Sequence, residues 1–245
     1  MKLLIICDPA GTLSLTALKN GWAPEDIWVW DDDPRHLYNV KQISARINVI
    51  TDIDTQLKEY FYMYKFIGIG NPPYGNAGRL AVKIVNKLAE KGLCEKMNFV
   101  MPRSIRKASL QNSLDRHIHI DKDVTNDDML FGRKIKTVVQ NYVIKNELRP
   151  LIPEPKEHKD FVFLKKGDPD VNVFIMRSGY AGKVMTDGFE EYEHSHYFMH
   201  AKSQQVIDNL KAISDELIEI GEETTGMNKV SKGEIISTYS NYYGS

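Results

Sequence analysis

The chain has 245 residues, about 1.6 times the ~150-residue domain prior, so one medium domain with a smaller extension, or one full domain, is expected. With 42% hydrophobic and 27% charged residues and ordinary glycine and proline levels, the composition excludes disordered, fibrous and disulfide-framework classes. Thirty-two basic residues balance 33 acidic ones, so any nucleic-acid contact must come from a local patch. Cys7 and Cys94 are the only cysteines, which suits a reducing compartment; a cytoplasmic location is expected. The apolar run at Leu3–Ile6 is too short for a signal core, and no stretch reaches the ~18 to 20 apolar residues of a membrane span.

In chain order, short apolar runs alternate with longer mixed segments, as when parallel strands are joined by crossover helices. Strands are expected at 3–7, 27–30, 48–50, 66–70 and 98–101. A helix is expected over 13–19, closed by Asn20 and Gly21, and a stronger one over 80–91, stopped by Gly92; Pro34 fits the first turn of another. Two further strands, 117–120 and 137–145, would close a sheet edge. From Leu148 the texture changes, because Pro150, Pro153 and Pro155 sit among charges, and the domain boundary falls there. Beyond it, 160–166 and 171–177 read as a β-hairpin across Gly167-Asp168-Pro169-Asp170. Val206, Leu210, Ile213 and Leu217 read as one amphipathic helix, and Ser231 with Glu234 as a capping box.

The most informative stretch is Lys65 to Gly75, an apolar strand that runs into Asn71-Pro72-Pro73-Tyr74. The amino group of adenine is a weak nucleophile because its lone pair is delocalised into the ring. Two acceptors against its N–H bonds draw the nitrogen toward a tetrahedral shape and free the pair. The Asn71 side-chain carbonyl and the Pro72 backbone carbonyl can supply them, since prolines fix φ and remove competing donors. Tyr74 can stack on the base, and its π face favours the positive charge of a sulfonium methyl or a methylated nitrogen. The same tetrapeptide also serves as a rigid turn; its place at the carboxyl end of a strand, where ligands of open α/β sheets bind, favours the chemical reading.

Asn-Pro-Pro-Tyr at the end of an apolar strand resembles the catalytic motif of amino-group methyltransferases that use S-adenosylmethionine, especially the N6-adenine DNA methyltransferases of restriction-modification systems. The resemblance covers roughly residues 3 to 145. It implies an α/β, doubly wound Rossmann-like methyltransferase sheet, mostly parallel with an antiparallel last strand, followed by a small C-terminal α+β region. On it, Asp8-Pro9-Ala10-Gly11 is similar to the cofactor loop, with Asp8 on the methionine ammonium. Asp31, beside Asp32, would accept the ribose hydroxyls; Asp52 would read the cofactor adenine, with Ile53 packed on its ring. Phe99 to Ser104 is similar to the family strand that ends in Pro-x-Ser, and Phe131, Gly132 and 137–145 to its last sheet segment. The family loop carries two or three glycines where only Gly11 stands here; the family also has a helix before the first strand that covers the methionine end of the cofactor, whereas this sequence starts on the strand, so either a later segment covers that end or the pocket is open, with a partner or a second subunit (a homodimer) as the candidates to complete it.

The resemblance therefore implies a catalytic domain over 1–148 and a target-recognition region over 149–245, with S-adenosylmethionine as cofactor and double-stranded DNA as partner. Flipping an adenine from a duplex costs a few kcal/mol, so phosphate contacts are needed; Arg103, Arg106, Lys107, Arg133, Lys134 and Lys136 flank the inferred catalytic face. Lys183, in the tip Gly179–Lys183, is a further candidate, with a plain hairpin loop as the alternative. His117-x-His119-x-Asp121-x-Asp123 reads as the polar side of an edge strand rather than a metal site. A protein glutamine-amide or RNA amino methyltransferase poses the same electronic problem, and a catalytically silent DNA-binding protein on this fold is the rival from another class.

Overall fold

The computed structural model describes residues 1–8, 10–30, 45–47, 64–90, 92–126, 129–130, 133–134, 136–187, 195–224 and 227–244, with 45–47, 129–130 and 133–134 as backbone only. The described residues divide into two compact units, 1–105 with 110–151, and 106–109 with 152–245.

The first unit is built on strands β1 (Lys2–Ile6), β2 (Ile27–Trp30), β3 (Ala45–Ile47), β4 (Phe66–Gly70), β5 (Cys94–Pro102) and β6 (Ile118–Asn126), the short β7 (Met129–Leu130) and β8 (Arg133–Lys134), and β9 (Thr137–Ile144). Its helices are α1 (Thr12–Lys19) and α2 (Arg79–Glu90); the short α3 (Ala108–Gln111), after β5, has its first two residues in the second unit. The main sheet has the order β3-β2-β1-β4-β5-β9-β6; β1 through β5 pair in parallel and β9 lies antiparallel between β5 and β6. This is the doubly wound Rossmann-like sheet with one antiparallel strand that the sequence led us to expect. The third strand occupies 45–47; the expected 48–50 lies outside the described residues.

Both faces of β1 are buried, as a central parallel strand requires. Leu3 and Ile5 pack with Ile27, Val29 and Ala17 of α1, whereas Leu4 and Ile6 pack with Trp28, Phe66, Phe99 and the apolar stripe of α2, Ala81, Val82, Ile84, Val85 and Leu88. Each fully buried aliphatic of this set contributes on the order of 2 kcal/mol. The α2 helix stops where Gly92 takes φ 62, with its amide on the Ala89 carbonyl at 2.8 Å.

The second unit holds β10 (Phe161–Leu164), β11 (Val173–Met176), β12 (Val184–Met185) and β13 (His196–Ala201) in the order β10-β13-β11-β12, with α4 (Gln204–Ala212), α5 (Ser214–Glu222) and α6 (Lys232–Tyr243). Two expectations are corrected here. The segments 160–166 and 171–177 form no hairpin, because β13 inserts between them and pairs antiparallel with both, so β10 and β11 run parallel. The single helix expected through Leu217 is two, since the chain breaks at Ile213 and Ser214 starts α5. The capping box at Ser231 and Glu234 is present, at 3.2 and 2.7 Å. Among the described residues no helix is long and apolar enough to cross a membrane.

Candidate functional site

Strand order reverses between β1 and β4: the chain winds outward through β2 and β3 on one side and through β5 on the other. In open α/β sheets the crevice at the carboxyl ends of such a pair is where ligands bind. The two turns that leave β1 and β4 at that end are Cys7–Gly11 and Asn71–Tyr74, the two motifs the sequence singled out.

The turn after β4 is built on backbone constraints. Gly70 has φ 141, and a Cβ there would sit 2.1 Å from the Ile6 carbonyl oxygen, so no other residue lets the two strands approach. The Asn71 amide then donates to that carbonyl at 3.0 Å, which fixes the start of the turn. Pro72 is buried, Pro73 and Tyr74 are half-buried, and the Tyr74 carbonyl accepts from Leu80 at the head of α2 at 3.1 Å. The end of β5 supports the far side: Ser104, 2% exposed, donates from Oγ to the Ala77 carbonyl at 3.5 Å, and Ala77 holds φ 54, a conformation that costs energy outside glycine. Residue patterns gave no signal for Ser104 in this supporting role, because the contact crosses from β5 to the β4–α2 connection.

Within this turn, and among the described residues, the Asn71 Oδ1 atom is buried and accepts no hydrogen bond, and the Tyr74 hydroxyl is buried without a partner. A native fold satisfies nearly all such atoms, since leaving one bare costs roughly 1–3 kcal/mol. The two together leave an acceptor and a hydroxyl on one turn that a bound group could engage. Burial pushes the Tyr74 phenol above the ordinary tyrosine range, so it is a neutral ring and not a base.

In the turn after β1 the acid is engaged by the helix that follows. Asp8 is 3% exposed, and its carboxylate accepts from the Leu13 amide at 3.0 Å, the Ser14 amide at 2.9 Å and the Ser14 hydroxyl at 2.5 Å. It is therefore committed to the first turn of α1, where an acid satisfies orphan amides and favours the helix dipole. Gly11 precedes the helix at φ 68 and is buried, while Ala10 is exposed. Ser14 is the functional partner that sequence reading missed; a cap reaching six residues across a glycine turn has no short-range signature. Pro9, Asp31, Asp32, Asp52 and Ile53, as well as Phe131 and Gly132, lie outside the described residues.

The expected phosphate contacts separate into groups. Arg103 and Lys136 meet at the carboxyl end of β5, where the Arg103 amide donates to the Lys136 carbonyl at 3.0 Å. Arg133 and Lys134 form β8, described as backbone. Arg106 and Lys107 both belong to the second unit and pair there, Arg106 with Glu223 at 3.5 Å and Lys107 with Glu234 at 2.9 Å and the Lys229 carbonyl at 2.8 Å. Lys183 is exposed, but its loop is no free tip, since Ala181 is buried and a Cβ on Gly182 would meet the α5 backbone at 2.3 Å. His117 and His119 each engage a carbonyl, of Lys145 and Glu147, along the edge strand β6.

Strand order and the antiparallel β9 define an open, doubly wound Rossmann-like sheet, with the Asn71–Tyr74 turn at its switch point. No protein-family model and no curated protein matches the chain. Among solved structures it is similar to TrmN from Thermus thermophilus, at 14% identity and TM-score 0.42, over 59% of this chain and 44% of that one. An uncharacterized protein from Listeria monocytogenes serotype 4b gives 14% identity and TM-score 0.42, over 62% and 65% of the two chains. The 23S rRNA methyltransferase ErmE gives 16% identity and TM-score 0.37, over 62% and 64%. The chain thus spans less than half the length of TrmN, and no functional weight rests on these likenesses.

Proposed function

We propose that the chain transfers a methyl group from S-adenosylmethionine to the N6 amino group of adenine in DNA. The observation that carries this reading is the buried, unspent Asn71 Oδ1 at the carboxyl end of β4. The described residues fit such a donor at its reacting end: an idle carbonyl and a neutral aromatic ring suit a sulfonium cation and an N–H donor, and would suit an anion poorly. Asp31, Asp32, Asp52 and Ile53 would hold the nucleoside part, and Gly11 admits close approach of the loop backbone. When bound, the cofactor supplies an electrophilic methyl on a positively charged sulfur.

The chain's own part is to prepare the nucleophile. Asn71 Oδ1 accepts one N–H of the target amine and the Pro72 carbonyl the other, which localises the nitrogen lone pair toward the methyl. Such acceptors gain strength as the nitrogen becomes cationic, so they stabilise the transition state more than the ground state. Tyr74 offers its ring face to the base and the developing charge. No general base is needed, because the proton leaves a cationic nitrogen, and the neutral Tyr74 phenol agrees with that economy.

The test is methyl transfer from labelled cofactor to duplex DNA, with RNA and a release-factor peptide in parallel. Asn71→Ala is expected to abolish DNA labelling while melting at or above the wild-type temperature, because it removes an unsatisfied buried acceptor. Normal labelling by that variant, or labelling of only RNA or peptide, would refute the assignment. The hydrogen bonds of Asp8 to α1 favour a second reading, a silent nucleic-acid-binding protein on the same fold; absence of calorimetric heat on titration with S-adenosylmethionine, with and without DNA, would favour it over the methyltransferase.

A further inference from the structure

In the second unit an antiparallel bridge joins residues 177–179 to 228–230, with the Gly179 amide on the Asn228 carbonyl and the Val230 amide on the Arg177 carbonyl, both at 3.2 Å. This pairing brings Arg177, Lys229 and Lys232 to one edge, all three exposed. Two aromatic rings lie beneath Arg177 and Lys232. The Lys232 ammonium is 4.6 Å from the Phe163 ring centre and 5.8 Å from that of Tyr197, and the Arg177 guanidinium is 5.7 Å from the Tyr197 ring. The Tyr197 hydroxyl donates to the Val230 carbonyl at 3.2 Å, which fixes its ring under both cations. Tyr180, three residues beyond Arg177, is 76% exposed although the rest of its loop is tied down.

The neighbouring carboxylates are already used. Glu223 faces Arg106; Glu234 faces Lys107 with one oxygen and the Ser231 amide with the other. Among the described residues no carboxylate pairs with Arg177, Lys229 or Lys232. Three cations with no carboxylate partner among the described residues, two of them held by rings at fixed positions, near a large aromatic left in solvent, present positive charge together with a stacking platform. Phosphates flanked by unpaired bases have the complementary chemistry.

We propose that Arg177, Lys229 and Lys232 contact phosphates of a nucleic acid and that Tyr180 stacks on an unpaired base, which locates substrate binding in the second unit at residues other than Arg106 and Lys107. This rests on the nucleic-acid reading given above.

The experiment measures binding and omits the cofactor, so that it fails separately from catalysis. Fluorescein-labelled DNA, duplex and single-stranded, is titrated with the full chain at several NaCl concentrations and followed by anisotropy. Arg177→Gln/Lys232→Gln is expected to lower the slope of log K against log salt by about 1.8 for duplex and about 1.4 for single strand. Lys19→Gln/Lys96→Gln, the same charge change on exposed lysines of the first unit, is expected to leave it unchanged. Tyr180→Ala is expected to weaken single-strand binding roughly fivefold or more. Equal slopes for wild type and the Arg177/Lys232 variant, or equal losses in both double variants, would overturn the surface alone. Wild-type protein that binds neither DNA form, or that binds acidic phosphatidylserine vesicles instead, would overturn both the surface and the nucleic-acid reading.

Discussion

The amide of Asn71 donates to the carbonyl of Ile6 at 3.0 Å, one step past the last register pair of β1 and β4, Ile6 with Gly70. This bond carries the parallel ladder into the turn, so the orientation of the Asn71 side chain is set by the two central strands rather than by the loop.

The close approach depends on Gly70, where a Cβ would meet the Ile6 backbone at 2.1 Å and φ is already 141. Gly70→Ala is expected to destabilise the chain by at least about 3 kcal/mol in urea unfolding, because backbone must move in the middle of the sheet. Gly68→Ala provides the contrast. The atoms nearest its Cβ would be side-chain atoms of Met97, Phe99 and Cys94, at 3.1 to 3.3 Å, and the loss is expected to be smaller. Equal losses at the two positions would contradict the backbone clash.

Asp8 supports α1 with three hydrogen bonds, and its removal tests whether it also serves the cofactor. Asp8→Ala is expected to cost about 1–2 kcal/mol, the range of a lost N-terminal cap, and Asp8→Asn less, since one acceptor oxygen remains. Calorimetric affinity for S-adenosylmethionine in the Asn variant is expected to stay near wild type if capping is the whole role. A large affinity loss with little loss of stability would return Asp8 to direct cofactor binding.

Strands buried on both faces were the most legible part of the fold. Ile27–Trp30 and Phe66–Gly70 occupy the residues expected of them, because each is a continuous apolar run between polar or glycine-proline stops. The Asn71–Tyr74 turn was legible as a strand-end turn because the residues that shape it, Gly70 and two prolines, are adjacent in the chain. What escaped was non-local. β13 separates β10 from β11 although the intervening Gly-Asp-Pro-Asp turn looks complete in itself, and its Asp170 amide does close on the Asp168 side chain at 3.1 Å. The apolar spacing runs unbroken through Ile213, so the start of α5 at Ser214 leaves no trace in periodicity. The charges of Arg106 and Lys107 look free in sequence only because Glu223 and Glu234 are more than a hundred residues away.

Tyr74 is predicted to act as a ring. Desolvation pushes its phenol upward, so it remains protonated beyond about pH 10, where an ordinary tyrosine ionises. The pH–rate profile of methyl transfer should therefore show no limb near that value that Tyr74→Phe removes. Because the hydroxyl is buried without a partner, Tyr74→Phe is expected to melt no lower than wild type and to retain activity, whereas Tyr74→Ala is expected to lose activity. Loss of activity in the Phe variant would assign the hydroxyl a role in the reaction.

The Lys107–Glu234 pair tests the reassignment of the basic cluster. Its atoms are 2.9 Å apart and the side chains are only 15% and 17% exposed, whereas Lys65 and Glu95 lie 3.7 Å apart at 61% and 69%. A double-mutant cycle with Lys107→Met and Glu234→Gln is expected to give a coupling of about 1–2 kcal/mol, and the same cycle at Lys65 and Glu95 less than about 0.5 kcal/mol, since solvent screens the exposed pair. Because the Lys107 charge is compensated, Lys107→Met should also leave the salt dependence of nucleic-acid binding unchanged. A slope that falls by about 0.9 in that variant would mean that Lys107 meets a phosphate despite its carboxylate partner.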